Sequence, residues 1–275
     1  MRAEDVEHLA ALLKARSGLI LGPDKAYLVE SRLAPVARRD GFGSVAELLT
    51  ALRLKRDERL IGAVVDAMTT NETFFFRDKT PFDQFKDDVL PALAGRAGGT
   101  VKVWCAACST GQEPYSLAMI GEEERHRFPG LKLDILGTDI SDRVLEKARA
   151  GLYTQFEVQR GLPIQMLVKH FEKVEDNWRI NARLRGAVRW KNANLLEDLR
   201  HLGRFDVVYC RNVLIYFDAE TKRRVLENIA GLMPDDGFLF LGAAETVLGV
   251  TEAFKPVPGK RGLYAKNPAF IRKAA

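Results

Sequence analysis

Hydrophobic residues recur three or four positions apart in three runs near the start of the chain, at 6–13, 48–52 and 60–65. This spacing places the apolar side chains on one face of a helix. Ser44 follows a glycine-rich break and is expected to cap the helix of the second run. No polar–apolar alternation typical of strands interrupts this part of the chain. We therefore predict a small all-helical domain over residues 1–68.

Beyond a glycine-rich connector at 94–99, short apolar segments alternate with helical ones. The segments predicted as strands are 101–104, 133–137, 188–190, 205–209 and 238–242. The segments predicted as helices are 113–127, 141–150 and 219–233. This alternation indicates an α/β fold with a parallel, doubly wound sheet. Such sheets bind ligands at the carboxyl ends of their strands, where the strand order reverses. We assign residues 69–275 to this second domain.

Residues 151–191 interrupt the alternation and are predicted to form a small inserted subdomain. A helix is expected over 163–170, and two segments, 178–181 and 187–190, resemble strands on either side of a glycine. The insert carries eight Lys and Arg residues against four Asp and Glu. Most such clusters are ordinary solvated faces, and the others favour an acidic partner, either a protein or a nucleic acid.

The composition of the 275-residue chain narrows the class of protein. Apolar residues make up 47% and charged residues 29%, as in a soluble globular protein. No apolar run is long enough for a membrane helix, and the first residues do not resemble a secretory signal. Three cysteines argue against a disulfide framework. The 42 basic residues only slightly outnumber the 37 acidic ones, which gives a net charge of +5. We expect a cytoplasmic protein that binds no nucleic acid and is not itself a membrane protein.

The candidate chemistry begins in the strand–turn–helix unit at 101–127. Its turn contains Gly111, and Asp139 ends the next predicted strand 28 residues later. A carboxylate at that place can accept hydrogen bonds from both hydroxyls of a ribose. The spacing is longer than in dinucleotide sites, and the turn lacks G-x-G-x-x-G. A nucleoside cofactor without a pyrophosphate therefore fits better, although a purely structural turn remains an alternative at this stage.

Further polar segments accompany this unit. TTNETFFFRD at 69–78 combines polar donors with three consecutive phenylalanines, NANLLE at 192–197 follows one predicted strand, and CRNVLIYF at 210–217 follows another. Parallel strands bring such segments together at one edge of the sheet. We expect them to line one ligand site.

Together these motifs resemble the CheR family of chemotaxis receptor methyltransferases. The resemblance rests on TTNETFFFRD, on WCAACSTGQEPYSLAM at 104–119, on GTDIS at 137–141, on NLL at 194–196 and on CRNVLIYF. It implies a helical N-terminal domain, a Rossmann-like S-adenosylmethionine (SAM) methyltransferase sheet and a small antiparallel β insert. It also implies transfer of a methyl group from SAM to glutamate side chains of chemoreceptors, which leaves S-adenosylhomocysteine as the product.

The resemblance also assigns site residues. Arg77 and Tyr216 are expected closest to the transferred methyl group and the acceptor carboxylate, as catalytic residues. The residues expected to bind the cofactor are Asn71, Thr73, Arg77, Glu113, Asp139, Asn194, Leu195, Arg211, Asn212 and Tyr216. The chain departs from the family at Ala107, where a glycine is common, and at Gln112, where a glutamate is common.

The expected partners are glutamate-rich cytoplasmic helices of membrane chemoreceptors. Some members of the family dock on a receptor's C-terminal tether peptide through a glycine-rich hairpin in the insert. The corresponding stretch here, 174–178, is short and contains no glycine. We therefore expect a monomer that acts without a tether peptide.

Three other functions remain open from the sequence. The fold can serve as a cofactor-binding signalling adaptor, or methylate a receptor array outside chemotaxis. The W-C-x-x-C pattern at 104–108 resembles that of thiol oxidoreductases. No metal site is expected, because Cys210 stands alone and the four histidines are scattered.

Overall fold

The computed structural model describes residues 2–22, 26–95 and 99–270. Part of the predicted connector, residues 96–98, lies outside this range. The chain forms two compact units: one comprises residues 1–70 with 216–221, and the other comprises 71–215 with 222–275. None of the described helices is long and apolar enough to cross a membrane.

The smaller unit is helical, as predicted. Its helices are α1 (Ala3–Ser17), α2 (Ala26–Arg39), α3 (Val45–Leu54) and α4 (Glu58–Met68). The expected cap of α3 is confirmed, since the Ser44 hydroxyl accepts a hydrogen bond from the Glu47 N–H at 3.1 Å. Asp57 caps α4 in the same way through the N–H of Leu60. The buried faces of these helices carry the apolar residues that predicted them.

Among the described residues, the rest of the chain contains ten strands and eight α-helices; the last helix, α12, has its first three residues in the smaller unit and the others in the larger one. The strands are β1 (Thr100–Ala106), β2 (Lys132–Asp139), β3 (Leu152–Thr154), β4 (Phe171–Val174), β5 (Asn177–Ile180), β6 (Val188–Asn192), β7 (Val207–Cys210), β8 (Phe238–Leu241), β9 (Phe254–Pro256) and β10 (Leu263–Lys266). The helices are α5 (Thr80–Gln84), α6 (Leu90–Ala94), α7 (Gln112–Glu123), α8 (Asp142–Ala150), α9 (Gln155–Gln159), α10 (Ile164–His170), α11 (Ala182–Gly186) and α12 (Ala219–Gly231). A π-helical segment, Phe85–Val89, joins α5 to α6, and short 3₁₀ segments lie at Glu124–His126, Arg200–Leu202 and Leu214–Tyr216.

Seven strands form the main sheet in the order β6-β2-β1-β7-β8-β10-β9. β1 pairs in parallel with both β2 and β7. The strands that follow β1 in the main sheet, β2 and β6, lie on one side of it, and β7 and β8 lie on the other side. The strand order therefore reverses between β1 and β7. The carboxyl ends of these two strands therefore flank the place where an α/β sheet binds its ligand. The core behind this edge includes Tyr115, Tyr209 and Phe240, all fully buried.

The expected antiparallel insert is present as a three-stranded sheet in the order β3-β5-β4. Its β4–β5 hairpin turns through two residues, Glu175 and Asp176. The segment at 188–190 was predicted both among the strands of the main sheet and as a strand segment of the insert; it forms β6 and pairs with β2 in the main sheet. A local pattern identifies a strand, whereas the choice of its partner depends on distant residues. The main sheet also gains two short antiparallel strands, β9 and β10, which the sequence did not predict.

Candidate functional site

The turn after β1 follows an unusual backbone path. Ala107 and Ser109 have φ angles of 59° and 50°, and Gly111 has φ 93°. A Cβ on Gly111 would lie 2.9 Å from the side chains of Ala148 and Trp190, so only glycine fits there. The left-handed conformation of Ala107 explains why the family that the motifs resemble commonly has a glycine at this position. For an alanine, this conformation costs about 1–2 kcal/mol. The other departure from the family, Gln112, is buried and accepts a hydrogen bond from the Thr110 hydroxyl at 2.8 Å.

This turn fixes Asp139 at the carboxyl end of β2. One carboxylate oxygen of Asp139 accepts a hydrogen bond from the Ser109 N–H at 2.8 Å, and the other accepts one from the Ser141 N–H at 3.0 Å. The Ser109 hydroxyl in turn donates to the backbone carbonyl of Asn71 at 2.9 Å. The structure thus brings together two predicted site residues, Asn71 and Asp139, through one serine.

A second set of predicted residues meets across the β1–β7 switch point. Arg211 directly follows β7, and its side chain is only 1% exposed. It donates to the Glu113 carboxylate at 2.9 Å, to the Asp78 carboxylate at 2.8 Å and to the Arg77 carbonyl at 2.9 Å. Its Nε has no hydrogen-bond partner among the described residues. A single buried guanidinium therefore ties the first turn of α7 to the segment that carries Arg77.

The charges of Glu113 and Arg211 depend on one another. Burial raises the pKa of Glu113 above its usual value, and the positive charges of Arg211 and Arg77 oppose that effect. Burial alone would lower the pKa of the Arg211 guanidinium, but the Glu113 and Asp78 carboxylates more than compensate and keep it charged. Since each charge stabilises the other, removing one partner leaves an uncompensated charge in the interior.

The Arg77 segment is held in a strained path. Phe76, Asp78 and Lys79 all have positive φ angles, between 46° and 66°. The N–H of Phe76 donates to the Ser116 hydroxyl on α7 at 3.0 Å. The Arg77 side chain turns back to donate to the Glu72 carbonyl at 2.8 Å. Positive φ angles in successive non-glycine residues are costly, and they indicate that the surrounding contacts determine this conformation.

Asn194 and Leu195 lie beyond β6, next to the strand that ends in Asp139. Asn192 is the register partner of Asp139, and Ala193 donates its N–H to the Asp139 carbonyl at 3.0 Å. The Asn194 side chain accepts from the Leu196 N–H at 3.1 Å, which closes a tight turn. Leu195 is buried. This placement at the same sheet edge agrees with the expected one.

Asn212 belongs to a loop organised by a residue that the sequence reasoning missed. The Glu245 carboxylate accepts hydrogen bonds from the N–H groups of Asn212, Val213, Ile215 and Gly242, at 2.7–3.3 Å. Asn212 itself has φ 59°. Glu245 follows β8 by four residues, so it was detectable by the same rule that selected polar residues after the other strands.

Glu245→Ala is expected to lower the free energy of unfolding by about 2 kcal/mol, because backbone donors then lose a charged acceptor. The loop after β7 would relax, so SAM affinity should fall in parallel. Urea denaturation and titration with SAM measure the two effects. The matched control is Glu252→Ala, which removes an exposed carboxylate seven residues further along. A Glu245→Ala protein with unchanged stability would contradict this account.

The remaining predicted residues are less closely tied to the site. Thr73 lies half-buried in the segment between Asn71 and Arg77. Tyr216 ends the short 3₁₀ turn that follows this loop and belongs to the smaller unit. Its backbone carbonyl accepts a hydrogen bond from the Ile20 N–H at 3.0 Å within that unit.

The structure disfavours thiol chemistry at the W-C-x-x-C pattern. Cys105 and Cys108 are free and fully buried. Burial raises the pKa of both thiols well above the usual value, and nearby carboxylates add to the effect. Since the thiolate is the reactive form, burial and the raised pKa both disfavour thiol chemistry at this pattern. Within the described residues, no three His, Cys, Asp or Glu side chains are grouped to hold a metal ion.

The fold and the edge residues define a Rossmann-like methyltransferase with a nucleoside-cofactor site. The family model described as "CheR methyltransferase, SAM binding domain" matches residues 71–263. The model described as "CheR methyltransferase, all-alpha domain" matches residues 4–69. The chain therefore belongs to the CheR methyltransferase family, and its cofactor is SAM.

Named relatives agree with this family. Chemotaxis protein methyltransferase 1 of Pseudomonas aeruginosa is 41% identical over 264 residues, which cover 94% of this chain and 96% of that protein. Chemotaxis protein methyltransferase 1 of Vibrio cholerae is 38% identical and covers 96% of both chains. Among solved structures, a TehB-like SAM-dependent methyltransferase from Corynebacterium glutamicum aligns with a TM-score of 0.40 and 18% identity, over 66% of this chain and 87% of that one.

Proposed function

We propose that this cytoplasmic enzyme transfers a methyl group from SAM to glutamate side chains of chemoreceptors and so forms glutamyl methyl esters. The observation that carries the proposal is the joint placement of Asn71, Asp139, Arg77 and Glu113 at the carboxyl edge of β1, β2 and β7. The relatives named chemotaxis protein methyltransferase support the choice of receptors as substrates.

The residues at this edge fit the chemistry of SAM. Asp139 is a buried carboxylate held by two backbone N–H groups, and it suits the ribose hydroxyls. The turn at 107–111 lacks the glycine pattern of a pyrophosphate site. We assign Asn71, Thr73, Arg77 and Glu113 to the methionine portion of the cofactor, and Asn194 and Leu195 to the adenine. Arg211, Asn212 and Tyr216 complete the site.

The reaction needs no general base. SAM supplies a methyl group on a positively charged sulfur. A glutamate side chain has a reference pKa near 4.3, so the acceptor is already a carboxylate at neutral pH. The protein's task is to exclude water from that carboxylate and to align it, and alignment is worth roughly 7–11 kcal/mol. In our proposal, Arg77 and Tyr216 orient the acceptor.

Tyr216→Phe is expected to lower turnover by about 10- to 100-fold, because a hydrogen bond to a charged group contributes on the order of 1.5–3 kcal/mol. SAM affinity should stay within a factor of about two, since the aromatic ring remains. Single-turnover methylation and calorimetry with SAM separate the two quantities. Tyr27→Phe, at an exposed tyrosine of α2, is the matched control. Full turnover in Tyr216→Phe would exclude a role for its hydroxyl.

The proposed partners are the glutamate-rich cytoplasmic helices of receptors. Basic clusters at 38–39 and 53–59 in the helical unit favour such acidic surfaces through electrostatic steering, which weakens with salt. The two-residue β4–β5 hairpin contains no glycine, which supports action without a tether peptide. We propose that the protein acts as a monomer.

The test is transfer of labelled methyl groups from SAM into host membranes, followed by mild alkali. Label on a receptor-sized band that is released as volatile methanol supports glutamyl ester formation. Alkali-stable label would move the acceptor to nitrogen and overturn the proposal. An absence of label despite measured SAM binding would instead favour a signalling adaptor.

A further inference from the structure

Arg160 reaches the Arg77 segment from the insert. It occupies the loop between α9 and α10, and the next residue, Gly161, has φ 84°. A Cβ on Gly161 would lie 2.1 Å from the Phe75 carbonyl oxygen and 3.0 Å from the Phe74 ring. Only glycine permits so close an approach. The backbone contact therefore holds Arg160 beside the segment that carries Arg77.

Two guanidinium groups share the ring of Phe74. The Arg160 guanidinium carbon lies 4.4 Å from the ring centroid, and that of Arg77 lies 5.6 Å from it. Arg160 also pairs with the Glu72 carboxylate, whereas the Arg77 side chain donates to the Glu72 backbone carbonyl. One carboxylate thus faces two guanidinium groups, and the pKa of Glu72 is lowered by its hydrogen bond to Arg160 and by both positive charges. With two guanidinium groups and one carboxylate, the cluster carries a net positive charge. It includes Arg77, the residue that we propose orients the acceptor.

The Arg160–Glu72 pair is accessible from solvent. The side chain of Arg160 is 41% exposed and that of Glu72 is 55% exposed. Exposed ion pairs contribute little net stability, because water competes for both partners. A carboxylate from another molecule can therefore replace Glu72 at little cost. A guanidinium also offers a fork of N–H donors that matches a carboxylate.

We propose that Arg160 binds an acidic side chain of the acceptor protein next to the glutamate that is methylated, and that Glu72 occupies this position until the acceptor arrives. This inference rests on the proposed function. It makes Arg160 a determinant of acceptor specificity, and it assigns the insert a direct contact with the substrate. Glu72 acts as an internal competitor that weakens binding of acceptors without a second carboxylate.

The experiment measures methylation of receptor-containing membranes by Arg160→Gln, Arg160→Lys and Glu72→Gln. Arg160→Gln should raise the KM for the acceptor by about three- to tenfold, in the range expected for loss of a charge-assisted hydrogen bond. Arg160→Lys should restore part of the loss. Glu72→Gln should lower the acceptor KM by about threefold, because the competing charge is gone. The KM for SAM should stay within about twofold in all three.

The control is Arg189→Gln. Arg189 forms a comparable exposed ion pair with Asp134 on the main sheet, 2.8 Å apart. The Arg189→Gln substitution should leave the KM for the acceptor unchanged. The inference is overturned if Arg160→Gln matches this control, or if it weakens SAM binding as much as acceptor binding, which would indicate a structural role. If the wild-type protein forms no alkali-labile ester on receptors, the proposed function fails and this inference fails with it.

Discussion

Arg211→Met is expected to destabilise the larger unit by about 3–5 kcal/mol, the range measured when one partner of a buried ion pair is removed. The substitution leaves Glu113 buried without its partner, and it frees the Arg77 carbonyl and Asp78 from their common donor. SAM binding and turnover should be lost together, because both sides of the β1–β7 switch point are affected. Urea denaturation followed by circular dichroism measures the stability.

The pH dependence of this variant identifies the cause. Burial already raises the pKa of Glu113 in the intact protein, and the loss of Arg211 raises it further. A carboxyl group whose pKa is higher in the folded state is neutral in both states at low pH. As the pH rises above its unfolded value, near 4.3, the unfolded state releases the proton first and is favoured. The stability deficit of Arg211→Met should therefore shrink toward pH 4 and grow toward neutrality.

Two further variants complete this prediction. Arg211→Met combined with Glu113→Gln should regain part of the lost stability at neutral pH, since the unpaired charge is absent. Arg189→Met breaks the exposed pair with Asp134 and should cost at most about 1 kcal/mol. An Arg211→Met protein that unfolds within about 1 kcal/mol of wild type would show that the buried network is not needed for the fold.

The sequence predicted those elements whose signals are local. The helices α1, α3 and α4 follow from apolar spacing, and the strand–turn–helix unit around Gly111 follows from the change in period and a single glycine. A strand at 188–190 was predicted as well, but its place in the main sheet rather than in the insert depends on pairing with β2. The three-residue strand Phe254–Pro256 is too short to show an alternation. The helical stretch from Thr80 to Ala94 also went unpredicted.

The same distinction applies to the candidate site. The predicted residues were selected by motif, and the structure connects Arg77 and Glu113 through Arg211, and Asn71 to Asp139 through Ser109. Glu245 and Asp78 were not assigned to the site, although Glu245 follows a predicted strand and Asp78 ends the 69–78 motif. Their roles are visible only in their contacts with backbone N–H groups and with a buried arginine. Positive φ angles at Phe76, Lys79 and Ser109 have no sequence signature, since glycine is absent. These positions are determined by tertiary contacts rather than by propensity.

Asp139→Asn is expected to weaken SAM binding at least about 100-fold and to lower the free energy of unfolding by about 1–3 kcal/mol, the usual cost of an unsatisfied buried polar group. In the native protein, each oxygen of Asp139 accepts from a backbone N–H, one from Ser109 and one from Ser141. An asparagine offers a single carbonyl oxygen, so its NH₂ group must face the other N–H donor. The turn after β1 would shift, and with it the Ser109 bond to Asn71.

Calorimetric titration with SAM and urea denaturation give the two quantities separately. The matched control is Asp142→Asn, at an exposed first-turn position of α8 three residues later. It removes the same charge near the same helix, so it should change SAM affinity by less than about threefold. The difference in SAM affinity between the two variants separates the effect of losing the second acceptor oxygen from the effect of losing a negative charge. If Asp139→Asn binds SAM as tightly as Asp142→Asn does, the carboxylate at the end of β2 does not hold the cofactor, and the site must be assigned elsewhere.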